Sequence, residues 1–158
     1  PLQMANVVAA IANGGTLYRP TLIDHIGAGG NAPEEKPPSE VNGQLPLTPD
    51  QLAVLQGAMW DVTHAGSGTA THRFQNFAVP VAGKTGTAEA PPGLPHAWFV
   101  GYAPAEPFTA PDGRAVEGPE LAIAVVLEHA GEGSEAAAPL FRRVVEAYYG
   151  IEATPFPW

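Results

Sequence analysis

Glycine and proline set the terms on which this chain can fold. Eighteen of each stand among 158 residues, well above ordinary usage. They gather between apolar runs and follow no period, so they punctuate structure and form neither a repeat nor a low-complexity tract. The apolar fraction of 45% with 15% charged residues is the balance of one globular domain with a real core.

Between the breakers the elements read as follows. Residues 2–12, LQMANVVAAIA, are apolar on nearly every side apart from Gln3 and Asn6, and Asn13-Gly14-Gly15 supplies a stop, which predicts a buried helix. The following TLYRPTLIDHI is β-branched and reads as extended. From Gly27 to Pro46 the chain is rich in Gly, Pro and Glu and reads as a solvated excursion, with Lys36 a surface charge. Thr48, Pro49 and Gln51 form a capping box with proline at the first helical position, and Leu52, Leu55, Met59 and Val62 follow at helical spacing to an end near Thr63. HAGSGTATHRF then reads as a glycine-bearing turn leading into a short helical segment.

Three strand candidates follow, Val79–Ala88, Ala97–Ala103 and Leu121–His129. The last, LAIAVVLEH, is apolar at alternate positions of both kinds, the pattern of a strand covered on both faces. A long connection with an Asp112-Gly113 turn signal separates the second from the third. Ser134 is placed to cap a closing helix whose Ala137, Phe141, Val144, Val145 and Tyr148 make one stripe, with Tyr148 and Tyr149 read as core and rim. The expectation is an α+β fold, an antiparallel sheet with helices packed on it, divided into a mainly helical 1–78, a sheet and helix over 79–150, and a tail at 151–158.

The net charge of -9, with only Lys36 and Lys84 as lysines, argues against a nucleic-acid surface. No apolar run reaches the length of a membrane helix, and no secretion signal opens the chain. PLQMANVVAAIANGG begins inside a helical pattern, so the chain reads as part of something longer. Without cysteine there are no disulfides or thiolate metal sites. The histidines, His25, His64, His72, His96 and His129, show no H-E-x-x-H spacing, and no metal or cofactor is expected.

The chemistry concentrates in residues 78–90, AVPVAGKTGTAEA. From Ala78 to Thr85 it fits the looser form of a phosphate-binding loop. Such a loop needs freed backbone N–H groups and a helix opening at the Lys-Thr pair. Here Val79-Pro80-Val81-Ala82 makes a poor anion nest, and Gly86, Pro91 and Pro92 leave no room for the helix. Read from Lys84 rightward, the stretch is a strand edge whose cation and hydroxyls attract a carboxylate. Gly86 lets an extended substrate approach the backbone, and the Thr87 N–H can aim at a forming oxyanion. A lone Lys-Thr-Gly is weak, since a lysine in an apolar strand also serves to keep sheet edges from pairing.

The flanking stretches carry the specificity. PLQMANVVAAIANGGTLYRP, GSGTA at Gly66–Ala70, VAGKTGTAE, HAWFVGYAPA, LAIAVVLEH and AAAPLFRRVVEAYY stand in the order found at the C-terminal end of penicillin-binding transpeptidases. The sequence resembles a class B penicillin-binding protein, and HAWFVGYAP with VVLEHAGEGSEAAAP is most similar to the elongation-type, penicillin-binding-protein-2-like branch. The resemblance covers the chain apart from the excursion and the loop at 104–119. It implies the serine β-lactamase-like fold and a D,D-transpeptidase that is acylated by the D-Ala-D-Ala end of a peptidoglycan stem peptide, or by a β-lactam, and transfers the acyl group to an amine of a neighbouring strand.

Enzymes of this family use S-x-x-K, S-x-N and K-T-G motifs. The serines here are Ser39, Ser67 and Ser134, and none fits either serine motif. The resemblance therefore implies that nucleophile and base come from a missing N-terminal part of the domain. It implies that Lys84 bridges to the S-x-N serine and the donor carboxylate, that Thr85 is a strand residue of the motif, that Gly86 keeps the rim open, and that Thr87 gives its N–H to the oxyanion and its hydroxyl to the carboxylate. It also implies a place in a cell-wall synthesis complex on the extracytoplasmic face of a bacterial envelope, with an N-terminal anchor. Ser67 is not a hydrolase elbow, because Ala65 and Thr69 stand where glycines are required. His96 and Trp98 open the second strand near the cleft. A noncatalytic cell-wall-peptide or protein-interaction module on the same fold remains the rival, separated by whether the two serine motifs precede Pro1. By itself this chain is expected to form no covalent adduct with a fluorescent penicillin, and a labelled band from the isolated chain would contradict the assignment.

Overall fold

The computed structural model describes residues 1–23, 37–153 and 155. His25, Lys36 and the first part of the expected excursion lie outside the described residues, as do Thr154 and residues 156–158 of the tail. Helix α1, Leu2–Ala12, ends at Asn13, and the Asn13 side chain bonds Thr16 in both directions, N–H to oxygen, at 2.9 Å. The helix is only half buried, contrary to expectation. Val8, Ala10 and Ile11 face the core, whereas Leu2, Met4 and Val7 of the first turns are exposed, because no described element packs over them.

Strand β1, Thr16–Tyr18, pairs antiparallel with β2, Val41–Gln44. The extended reading of 16–26 thus holds for its start, where Pro20 then interrupts the supply of N–H donors. The excursion is corrected at its far end: residues 41–44 are a strand, tied by Gln44 Nε2 donating to Thr16 Oγ1 at 3.0 Å and Arg19 N donating to Glu40 O at 2.8 Å. Helix α2, Pro49–His64, starts on the capping box. Gln51 N donates to Thr48 Oγ1 at 3.3 Å, and Thr48 N donates to Gln51 Oε1 at 2.9 Å. A glycine-bearing turn leads to the short α3, Thr71–Phe74.

Strands β3, Ala82–Ala88, and β4, His96–Ala103, and then β7, Leu121–Leu127, form an antiparallel sheet in the order β3-β4-β7. Strand β3 starts three residues later than the sequence suggests, since Pro80 cannot donate to the ladder. The connection at 104–119 is not featureless: β5, Phe108–Thr109, and β6, Ala115–Val116, close a small hairpin around Gly113, whose φ of +87° suits glycine.

Alternation divides the sheet into two faces. Ala82, Val100, Tyr102 and Ala122 pack with Val8 and Ile11 of α1 and Leu52 and Met59 of α2. Ala97, Phe99, Ala103 and Val125 pack with Phe74 of α3 and with Phe141 and Val145 of α4, Ala138–Tyr148. Phe99 and Phe141 meet edge to face, centroids 4.8 Å apart, and neither is accessible to solvent. Every residue of β7 is half buried and none fully so. Both its faces are covered as expected, but among the described residues nothing pairs with its outer edge.

The closing helix departs from expectation at both ends. A π-helical turn, Gly133–Ala137, precedes α4, and Ser134 lies inside it without capping; its carbonyl accepts from Arg73 Nε at 3.2 Å. At the other end Tyr149 is the core residue, its hydroxyl donating to Glu120 Oε2 at 3.1 Å, while Tyr148 and Val144 are exposed. Burial and the Glu120 carboxylate raise the Tyr149 phenol above its ordinary range. Glu146 is fully buried against Arg142 Nε at 2.9 Å, and Arg142 stacks on Phe77 at 4.5 Å while its NH1 donates to Arg73 O at 2.7 Å. Because the box at Thr48 satisfies two orphan donors of the longest helix, Thr48→Ala is expected to cost about 1 kcal/mol, read as a fall in Tm of about 2–4 °C.

Candidate functional site

Lys84, Thr85, Gly86 and Thr87 lie in the middle of β3, which is the edge of its sheet. No helix opens at Lys84-Thr85, so the phosphate-loop geometry is absent from this segment. Gly83 is a buried strand residue at the position where a Cβ would meet the Phe99 ring at 2.5 Å.

The direction of each backbone group follows from one close contact. Gly133 of the π-helical turn stands so near the Gly86↔Trp98 pair that a Cβ on it would lie 2.1 Å from Trp98 O, 2.5 Å from Gly86 O and 2.9 Å from Gly86 N. Gly86 N and Trp98 O converge in this way when the pair is a hydrogen-bonded rung of the antiparallel ladder. Alternation then turns the backbone groups of Thr85 and Thr87 away from β4, to the open edge. The Gly86–Thr87 peptide is planar; its carbonyl faces β4 under Gly133, and its Thr87 N–H faces outward.

Side chains alternate too. Lys84 and Gly86 share a face with Trp98 and Val100, and these residues with Thr85 and Met4 of α1 line a groove of about 310 Å³. A Cβ at Gly86 would come within 3.1 Å of Trp98 Cβ, so glycine is what keeps the groove floor open beside the indole. Thr85 points to the opposite face, where its hydroxyl meets that of Thr69 at 2.8 Å. Thr87 is exposed. The Lys84 ammonium folds over the edge and donates to Thr85 O at 2.6 Å.

Among the described residues each arginine has a carboxylate within ion-pair distance, Arg19 with Glu40, Arg73 with Glu135, Arg114 with Glu120, and Arg142 and Arg143 with Glu146. Lys84 has none, which leaves its charge available to an anion at the groove. The hydrogen bond from His72 and the Arg73 charge lower the Glu135 carboxyl from its ordinary range. No group of three acidic or histidine side chains among the described residues could hold a metal ion.

The four residues singled out from the sequence are therefore contiguous on one edge. Lys84, Thr85 and Gly86 line the groove, although the Thr85 hydroxyl turns to the opposite face; the Thr87 side chain alternates to the Thr85 side and is not part of the lining, so Thr87 brings its outward N–H to the edge. Trp98 borders the groove. His96 does not line it, its Nδ1 accepting the His129 N–H at 3.0 Å. Met4, Val100 and Thr69 were not singled out. The alternation of Trp98 and Val100 on β4 was a readable signal for one of them, while Met4 and Thr69 come from distant segments and gave none.

A model of the penicillin binding protein transpeptidase domain matches residues 1–146. The peptidoglycan D,D-transpeptidase MrdA of Haemophilus influenzae is 32% identical over 163 residues, covering 94% of this chain and 23% of the relative. The peptidoglycan D,D-transpeptidase PbpA of Mycobacterium tuberculosis is 31% identical over 163 residues, covering 93% of this chain and 28% of the relative. Among solved structures, the imipenem acyl-enzyme complex of penicillin-binding protein A from M. tuberculosis superposes with a TM-score of 0.68 at 30% identity, over 94% of this chain and 30% of that one. Penicillin-binding protein 2B from Streptococcus pneumoniae superposes with a TM-score of 0.76 at 25% identity, over 99% of this chain and 26% of that one. The chain spans 23% and 28% of the length of these two curated relatives. A methyl at Gly133 would strike the Gly86↔Trp98 backbone, so Gly133→Ala is expected to destabilise the fold by about 1–3 kcal/mol, measured as a lower urea midpoint with an unchanged slope.

Proposed function

This chain belongs to the penicillin-binding protein transpeptidase family, and from that premise we propose that it is one wall of the active site of a peptidoglycan D,D-transpeptidase of the elongation type. The observation that carries the reading is the convergence, at one open strand edge, of an unpaired ammonium, an outward N–H and a groove floored by glycine.

In the proposed reaction a serine hydroxyl attacks the carbonyl between the last two D-Ala residues of a stem peptide, and its proton passes to a neighbouring base. The C–O bond forms as the carbonyl oxygen takes up negative charge, which the Thr87 N–H receives. Collapse breaks the C–N bond and D-Ala leaves with the proton held by the base; an amine of a second strand then attacks the acyl-enzyme carbonyl, forming a new C–N bond as the ester C–O bond breaks, and the amine's proton passes through the base to the released serine. A β-lactam carbonyl enters at the same step. Lys84 and the Thr87 hydroxyl hold the substrate or β-lactam carboxylate, and Gly86 lets the extended chain lie close to the strand. Loss of one oxyanion donor costs about 2.7–4 kcal/mol in such sites.

No serine of residues 1–158 is followed by lysine three positions on or by asparagine two positions on, so the reading places nucleophile and base in residues outside this chain. No helix among the described residues is long and apolar enough to cross a membrane; the reading likewise assigns the anchor, the extracytoplasmic orientation and the contacts with a cell-wall synthesis complex to the complete protein.

Lys84 is exposed and lacks a carboxylate partner among the described residues, so Lys84→Ala in the complete protein is expected to fold normally. Its acylation by a β-lactam should fall by about 100-fold or more, in the range of losing one electrostatic contact to the reacting group. Stopped-flow acylation kinetics beside a melting curve would check this, and a parental acylation rate would remove Lys84 from the site.

A further inference from the structure

The active-site strand is gripped from a second element that none of the motifs includes. Helix α3 follows the turn whose Thr69 hydroxyl bonds the Thr85 hydroxyl at 2.8 Å. Its Arg73 donates through Nε to Ser134 O at 3.2 Å and through NH2 to the Glu135 carboxylate, whose other oxygen meets His72 Nε2 at 3.0 Å. Ser134 and Glu135 belong to the π-helical turn whose Gly133 presses on the Gly86–Thr87 peptide. The contacts close a ring: Thr85 to Thr69, along α3 to Arg73 and His72, across to Glu135, and back through Gly133 to Gly86. Arg142 NH1, donating to Arg73 O at 2.7 Å, braces the ring against α4.

We propose that Glu135 is a positioning residue for the reaction: held by Arg73 and His72, it fixes the 133–137 turn and thereby the direction in which the Thr87 N–H points. The inference rests on the reading of Thr87 as an oxyanion donor. Its physical basis is the contrast between stability and geometry. The Glu135 side chain is 55% exposed, and ion pairs so open to water add little to folding. Yet they act here on a backbone contact with no slack, and in catalysis a displacement of about 1 Å can cost about 100-fold. A structural pair would affect melting or nothing, whereas a positioning pair affects the chemical step.

The test uses the complete protein carrying Glu135→Ala, Glu135→Asp, or the exchange Arg73→Glu with Glu135→Arg, and Lys84→Ala in parallel. Expected for Glu135→Ala is a β-lactam acylation rate constant lower by about tenfold or more, with the dissociation constant of the preceding noncovalent complex within about twofold and Tm within about 2 °C. Amide hydrogen exchange across 84–88 should quicken while that across 121–127 stays the same, because a loosened turn frees the Gly86 rung and not β7. Glu135→Asp and the charge exchange should each recover part of the rate. Unchanged acylation and exchange in Glu135→Ala would overturn the proposal, as would a loss that merely follows the unfolded fraction. If the alanine variant does not fold, Glu135→Gln, which keeps an acceptor without the charge, decides by the same readouts. Parental acylation in Lys84→Ala would instead defeat the functional reading; the exchange across 84–88 would still judge the role of Glu135.

Discussion

A peptide group that is hydrogen-bonded along one side and pressed from one face has little freedom left, and the Gly86–Thr87 peptide is in that position. β4 fixes its carbonyl through the Gly86↔Trp98 rung, and Gly133 lies against it from the α4 side with no room for a methyl. The outward N–H belongs to that plane and the groove floor adjoins it, while the folded-over lysine bonds the carbonyl of the preceding peptide, Thr85 O. A glycine stands on each side of it: a methyl on Gly133 would strike the strand backbone, and one on Gly86 would crowd Trp98 Cβ at 3.1 Å on the groove face. The buried Phe99 and Phe141 below hold the sheet and α4 at the spacing that makes the contact possible.

The support is layered by strength. Apolar packing on the two faces, around Val8, Ile11 and Leu52 on one and Phe74, Phe99 and Phe141 on the other, sets where the sheet lies. Hydrogen bonds with little solvent, such as Thr63 Oγ1 to Val81 O at 2.6 Å, fix the entry of β3. Weak, exposed polar contacts act only at the last stage, where the coarse arrangement is already made. Such contacts can alter the aim of a backbone group without altering whether the protein folds.

What could be read from the sequence followed the range of the interactions involved. The capping box of Thr48 and Gln51, the stop at Asn13-Gly14, the turn at Asp112-Gly113 and the three main strands are local signals, and each matches an observed element. The Lys84–Thr87 edge was legible because its motif is contiguous. Misreadings arose where a distant partner decides. Ser134 looks like a cap until Gly133 is drawn to Gly86, and residues 41–44 look like loop until Thr16 pairs with Gln44. Tyr149 displaces Tyr148 from the core because Glu120, far away in sequence, accepts its hydroxyl. Even β7, correct in place, differs in burial, since its outer edge has no neighbour among the described residues.

Charge adds a final constraint on how such an edge could recruit an anionic substrate. With a net charge of -9 the chain as a whole repels carboxylates, and long-range steering would not favour binding. At physiological salt that repulsion is screened beyond about 8 Å, so the groups next to the groove decide. Lys84 is the cation that lines it, and it donates to a neutral carbonyl, Thr85 O, whereas the described arginines, none of which lines the groove, each have a carboxylate within ion-pair distance. Exchanging that carbonyl for a substrate carboxylate replaces a neutral acceptor by a charged one, a stronger hydrogen bond, and requires only the rotation of an exposed side chain. An acidic protein can thus hold a selective anion site, provided that its own acids are kept away from one lysine.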